Sequence, residues 1–196
     1  MSLLAPGDQV PTSLLPLEVE SSQEVKVAIG DLWSERPCLV VFLRHFGCIG
    51  CAENVRGLAP RLPELERLGT RTVFIGCGAP LFIEPFRERH NLLHTPVELY
   101  SDVALRTYQA VGLAYGLWGG FRPRSLVEMG SAFLRGNQSQ AIQGDKRQHA
   151  GAMLVDTTGV IRFFHRNESL GDHASVTEMV RAATALRFAP SSVGVS

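Results

Sequence analysis

One four-residue string constrains this chain more than any other: Cys48-Ile49-Gly50-Cys51, set shortly after the apolar run Cys38–Leu43. Within that run, Leu39–Leu43 reads as a strand buried on both faces. After Gly47 the pattern turns helical. Val55, Leu58, Leu62, Leu65 and Leu68 recur at spacings of three and four, and Gly69 ends the run. Pro60 and Pro63 are expected to break this helix into two pieces. Cys48 thus falls at a helix N-terminus, where unpaired N–H groups and the helix dipole favour a thiolate. Arg44 and His45, just upstream, are expected to add positive charge.

Spacing supplies the second half of the chemistry. Residues three apart on a helix share a face, with Cβ atoms about 5–6 Å apart, and a disulfide wants about 3.5–4.5 Å. A small adjustment of the first turn, eased by Gly50, closes the gap. Cys48 is therefore placed to attack an acceptor and Cys51 to resolve the product. Two alternatives compete with redox chemistry. Structural zinc usually takes four ligands in paired motifs, whereas Cys38 and Cys77 stand alone. Inert packing of the thiols is the other. Cys77, in Gly76-Cys77-Gly78, reads as a small core residue, with a third redox thiol as its functional alternative. Trp33 and Trp118 read as packing residues, and His149, His165 and His173 as ordinary hydrogen-bonded histidines.

The rest of the chain alternates. Strands are expected at Glu24–Ile29, Thr72–Ile75 and Pro96–Tyr100. Helices are expected at Ile83–His90 and over Val103–Val111, the latter capped by Ser101-Asp102. Met153–Val155 and Val160–Phe164 flank the turn Asp156-Thr157-Thr158-Gly159 as a hairpin, and Val176–Leu186 closes the chain as an amphipathic helix. Such alternation implies right-handed crossovers and a largely parallel sheet, to which the hairpin adds antiparallel strands. Residues 1–16 are expected to be a loose N-terminal extension, 17–188 one α/β domain and 189–196 a frayed tail. Residues 112–147 form an expected insertion with a helix at Ser125–Leu134, either a lid over the site or a surface excursion.

Composition excludes several classes. Lysine plus arginine and aspartate plus glutamate number 19 each in 196 residues. That balance argues against a nucleic-acid or anionic-membrane surface as the main partner. No apolar run approaches the roughly 20 residues of a spanning helix, and no secretory leader is read, so a cytoplasmic location is expected. Neither G-x-G-x-x-G nor a P-loop occurs, and no cofactor or metal is expected.

The string Val41-Phe42-Leu43-Arg44-His45-Phe46-Gly47-Cys48-Ile49-Gly50-Cys51 resembles the peroxiredoxin-like branch of the AhpC/TSA antioxidant family. Ile83-Glu84-Pro85-Phe86, Tyr100-Ser101-Asp102, Gly144-Asp145 with Gln148 and Gly151, Phe164-His165-Arg166 and Gly171-Asp172-His173 follow in the same order. The resemblance spans about residues 15–185. It implies a thioredoxin-like three-layer α/β/α fold with a mixed sheet, C-terminal hairpin and helical insertion. It also implies a thiol-dependent reductase with Cys48 attacking and Cys51 as its partner. The chain departs from the P-x-x-x-[TS]-x-x-C of true peroxiredoxins: Val41 and His45 occupy the Pro and Thr/Ser positions, and Ala150 falls where a supporting arginine is usual. Arg44, Gln148 or an arginine from the insertion are the candidates for polarising an acceptor in their place, and His45 and Gly47 are counted with Arg44 and Gln148 as supporting residues. The expected reaction reduces a peroxide, or alternatively a protein or small-molecule disulfide, at the expense of a thioredoxin- or glutathione-type reductant. A non-catalytic redox-sensing module is the alternative outside enzymology, and a homodimer is left open.

Overall fold

The structure, a computed structural model, describes residues 4–47, 49–113, 150–167 and 173–188. Cys48, Trp118, Gln148, His149, residues 114–147 of the expected insertion and the tail beyond 188 lie outside the described residues.

Seven strands form one sheet: β1 (Glu18–Glu20), β2 (Lys26–Ala28), β3 (Cys38–Phe42), β4 (Arg71–Gly76), β5 (Val97–Ser101), β6 (Gly151–Val155) and β7 (Ile161–Arg166), in the order β2-β1-β5-β4-β3-β6-β7. The centre, β5-β4-β3, is parallel; the β1–β2 and β6–β7 pairs join it antiparallel. Among the described residues the helices are α1 (Ile49–Leu58), α2 (Leu62–Arg67), α3 (Ile83–Arg89), α4 (Arg106–Ala110) and α5 (Val176–Arg187). As the two prolines require, a short 3-10 turn at Ala59–Arg61 separates α1 from α2.

Period-two alternation divides the core in two. Leu39 and Val41 of β3, Phe74 of β4 and Leu154 of β6 face a cluster that includes Val55, Leu58, Leu65, Phe86 and Met179 from α1, α2, α3 and α5. Cys38, Val40, Phe42, Val73, Ile75 and Met153 face the other way, toward Leu14, Trp33, Tyr108 and Val111. The β3 run is buried at every position because helices cover one face, and α4 with the N-terminal segment covers the other.

The sequence differs from the structure in three places. Residues expected to be a loose extension are tied down: the Gly7 N–H bonds the Ile161 carbonyl at 2.7 Å, Gln9 bridges Val160, and Leu14 is fully buried. The expected strand at Glu24–Ile29 shrinks to β2 because Glu24 takes a left-handed turn conformation (φ 62°) after the three-residue β1, too short to show a pattern. The helix expected from Val103 starts only at Arg106. Asp102 still organises it, accepting from the Thr107 N–H and hydroxyl at 2.7 Å each, but across a left-handed Leu105 (φ 57°).

Two glycines are required by packing. A Cβ on Gly76 would lie 2.6 Å from the Phe46 ring, and one on Gly78 would lie 3.1 Å from it. Gly76→Ala must therefore push that ring aside. We expect it to cost about 1–3 kcal/mol in urea unfolding, and a loss under 0.5 kcal/mol would show that the ring yields freely. At the β6–β7 turn, burial raises the Asp156 carboxyl. Hydrogen bonds from the Thr158 hydroxyl, the Val160 and Thr158 N–H groups and Arg162 outweigh that and hold it below the ordinary carboxylate range. Its stabilisation is complete above the unfolded value of about 3.9 and is lost as pH falls through the lower folded value. Asp156→Asn should lower stability at neutral pH and flatten the acid limb of the stability–pH curve; parallel wild-type and variant curves would contradict this linkage.

Candidate functional site

The ends of three parallel strands are stitched together where the C-x-x-C begins. After β3, the Leu43 N–H donates to the Ile75 carbonyl at 2.7 Å. The Tyr108 hydroxyl, from α4, lies 2.5 Å from the Leu43 carbonyl and 2.7 Å from that of Ile75. It has one proton to donate and two acceptors before it, and burial pushes its pKa far up, so it stays a phenol. After β4 the Cys77 thiol donates to the Arg44 carbonyl, and the Ser101 hydroxyl at the end of β5 donates to the Gly78 carbonyl. The Asp102 N–H bonds the Gly76 carbonyl at 2.9 Å. These bonds fix the loop Arg44–Gly47 that leads into α1.

Cys51 sits in the first turn of α1, 2% exposed, among the core residues beneath the helix. Its sulfur accepts the Arg44 N–H at 3.2 Å. The Arg44 backbone thus meets one thiol at its N–H and another, Cys77, at its carbonyl. The sequence suggested a charge for Arg44; the contribution the geometry shows comes from its backbone, while the residue itself is buried. His45 also differs from expectation. Its Nδ1 accepts the Gly47 N–H at 3.3 Å, a contact within the turn itself. Gly47 is half-buried, and Ala150 is buried with its carbonyl accepting the Asn167 N–H. Cys38 is a different kind of thiol: it is fully buried in β3, and burial pushes it far above the ordinary thiol range. It is packing, as its place in the run suggested.

Beside the loop lies a cleft of about 630 Å³, a size that suits a small organic ligand. α1 supplies Ala52, Glu53 and Arg56, and the turn beyond it supplies Ala59 and Pro60. The end of α3 and the connection to β5 supply Arg89, His90, Asn91 and Thr95. Phe46 and Gly47 complete the lining, next to Cys48 in the chain. Phe46 packs edge-on against Phe86 (5.4 Å) and over the Gly76–Gly78 cradle. Sequence reasoning missed this cleft, Tyr108 and both arginines. The Gly-Cys-Gly string was the one available signal, because paired glycines after a buried strand mark a close approach. Among the described residues no cluster of three His, Cys, Asp or Glu could hold a metal ion, and no helix is long and apolar enough to cross a membrane.

With this geometry in view, the comparisons with known proteins converge. The family model described as "AhpC/TSA antioxidant enzyme" matches residues 57–169, beginning just beyond the C-x-x-C. "Thioredoxin-like protein AAED1, chloroplastic" from Arabidopsis thaliana is 25% identical over 91% of this chain and 75% of its own length. "Peroxiredoxin-like 2C" from Homo sapiens is 27% identical over 89% of this chain and 80% of its own. Among solved structures, reduced Prx3 from Vibrio vulnificus in complex with hydrogen peroxide superposes with a TM-score of 0.66. It is 14% identical, over 92% of this chain and 99% of that one, a likeness of fold. The mixed sheet covered on both faces is thus the thioredoxin-like fold of the peroxiredoxins, and the chain belongs to the AhpC/TSA family of antioxidant thiol oxidoreductases.

Proposed function

We propose that the protein is a thiol peroxidase in which Cys48 attacks a peroxide and Cys51 resolves the product. The observation that carries this reading is the placement of Cys51: in the first turn of a helix that starts directly after Cys48, with its sulfur against the Arg44 N–H. The Vibrio vulnificus fold neighbour, held with hydrogen peroxide, supports the choice of acceptor.

The reaction runs in three steps. The Cys48 thiolate attacks one peroxide oxygen, the O–O bond breaks, and the leaving oxygen departs as an alcohol or water after taking a proton. Cys48 is now a sulfenic acid. The Cys51 sulfur attacks the Cys48 sulfur, an S–S bond forms, the S–O bond breaks, and hydroxide leaves as water with the Cys51 proton. An external dithiol of the thioredoxin type, or glutathione, then returns two electrons by thiol–disulfide exchange. Burial suits Cys51 to this part. A residue 2% exposed is shielded from bulk oxidant, and it stands three positions after Cys48 in the chain. The Arg44 N–H and the Cys77 thiol hold the intervening loop while the first turn adjusts.

Stopped-flow mixing of the reduced protein with hydrogen peroxide tests the proposal. Wild type should oxidise faster than free cysteine and turn over with a reductant. Cys48→Ser should not react above that background. Cys51→Ser should oxidise once, to a sulfenic acid that dimedone traps, without forming the intramolecular disulfide. Oxidation no faster than free cysteine, with wild type matching Cys48→Ser, would overturn the peroxidase reading.

A further inference from the structure

We propose that Tyr108 is a positioning residue for the resolving step: its hydroxyl holds the Leu43–Arg44 peptide so that the Arg44 N–H stays aimed at the Cys51 sulfur and favours it as the attacking thiolate. This rests on the reading of Cys51 as the resolving thiol.

The connection runs through a single amide. The Leu43 carbonyl and the Arg44 N–H belong to the same planar unit, so fixing one end fixes the direction of the other. The Tyr108 hydroxyl lies 2.5 Å from that carbonyl, and the N–H donates to the Cys51 sulfur at 3.2 Å. The phenol faces a second acceptor, the Ile75 carbonyl at 2.7 Å. The Ile75 carbonyl already takes the Leu43 N–H at 2.7 Å, and the Leu43 carbonyl is the nearer of the two, which makes it the better partner for the one phenolic proton. A peptide that accepts at its oxygen becomes a stronger donor at its nitrogen. A donor at a sulfur favours the anion over the thiol.

Cys51 has need of such a donor. It is packed among the apolar side chains beneath α1, surroundings that oppose a thiolate. Its attack forms the S–S bond to Cys48 and breaks the S–O bond of the sulfenic acid, and the departing hydroxide takes the Cys51 proton as water. The Arg44 N–H offsets part of the cost of separating that proton from the sulfur.

Tyr108 is itself firmly placed, although α4 has only five residues. Its ring is fully buried and meets Phe42 edge-on at 5.1 Å. Its neighbour Thr107 gives both N–H and hydroxyl to the Asp102 carboxylate at 2.7 Å, and the Asp102 N–H bonds the Gly76 carbonyl at 2.9 Å. The sheet thus delivers the hydroxyl to the loop. Burial, followed by the charges of Cys77, Asp102 and Cys51, keeps Tyr108 a phenol, so it remains a donor while Cys51 ionises.

Tyr108→Phe keeps the ring and removes the hydroxyl. Quenched flow after one equivalent of hydrogen peroxide, with alkylation and mass spectrometry, follows the sulfenic acid and the Cys48–Cys51 disulfide separately. At pH 7 disulfide closure should be at least tenfold slower than in wild type. The difference should shrink toward pH 9, where alkali supplies the thiolate that the amide no longer favours. The other titratable groups around the peptide are Arg44 and His45 on the loop, Cys77 after β4 and Asp102 after β5, and they are the same in both proteins. A closure profile that moves on loss of the phenol therefore reads the thiol step. In place of Tyr108, 4-aminophenylalanine is a weaker donor of nearly the same shape. It should slow closure at least threefold at pH 7, which checks the role even where Tyr108→Phe does not fold. Closure at the wild-type rate in either protein would overturn the proposal. So would slowing by the same factor at every pH, the signature of a merely loosened loop. Diamide activates a thiol without peroxide and allows the same comparison. Closure that depends on Tyr108 with diamide, in a protein that hydrogen peroxide does not oxidise, would sink the peroxidase reading and keep the role of Tyr108. Rapid oxidation by peroxide with closure indifferent to the phenol would do the reverse.

Discussion

The loop between β3 and α1 depends on the backbone of one residue. Arg44 donates its N–H to the Cys51 sulfur and accepts the Cys77 thiol at its carbonyl, so the loop between β3 and α1 is gripped from both sides. The grip works because the strands beneath it are rigid. Tyr108 spans the Leu43 and Ile75 carbonyls where β3 and β4 end, and Asp102 and Ser101 tie the end of β5 to Gly76 and Gly78. Each of these groups is buried, where a hydrogen bond is costly to lose and the geometry it imposes is correspondingly firm.

This arrangement explains how a chain lacking the Pro and Thr/Ser of true peroxiredoxins can still order its turn. Val41 and His45 stand at those positions. Val41 points into the helical side of the core and has no polar part to play. His45 steadies the turn through its own Nδ1, taking the Gly47 N–H. Backbone, imidazole and thiol groups order the turn here.

Much of the fold was legible in the residues, for physical reasons. Leu39–Leu43 announced a doubly buried strand, Pro60 and Pro63 a broken helix, and Asp156 to Gly159 a hairpin turn; local chemistry decides each of these. The short β1 escaped notice because three residues carry no period, and the N-terminal segment because its anchors, Val160 and Ile161, lie some 150 residues away in sequence. At the site, the position of Cys51 in the first turn followed from spacing. The backbone role of Arg44 did not, since sequence reading weighs side chains. Arg56 and Arg89 meet across a cleft only through tertiary packing, which leaves no mark on the residues near either one.

Phe46 gives the architecture a mechanical property. The ring touches Gly76 and Gly78 at the end of β4, packs edge-on against Phe86 of α3 and forms part of the cleft, while its backbone belongs to the loop that precedes α1. It acts as a linchpin: the ligand-facing wall and the approach to the thiols share one side chain, so neither can be reshaped alone. Divergence toward a new acceptor in such a scaffold has to proceed through the outer residues of the cleft, leaving the ring and its two glycines as a fixed unit.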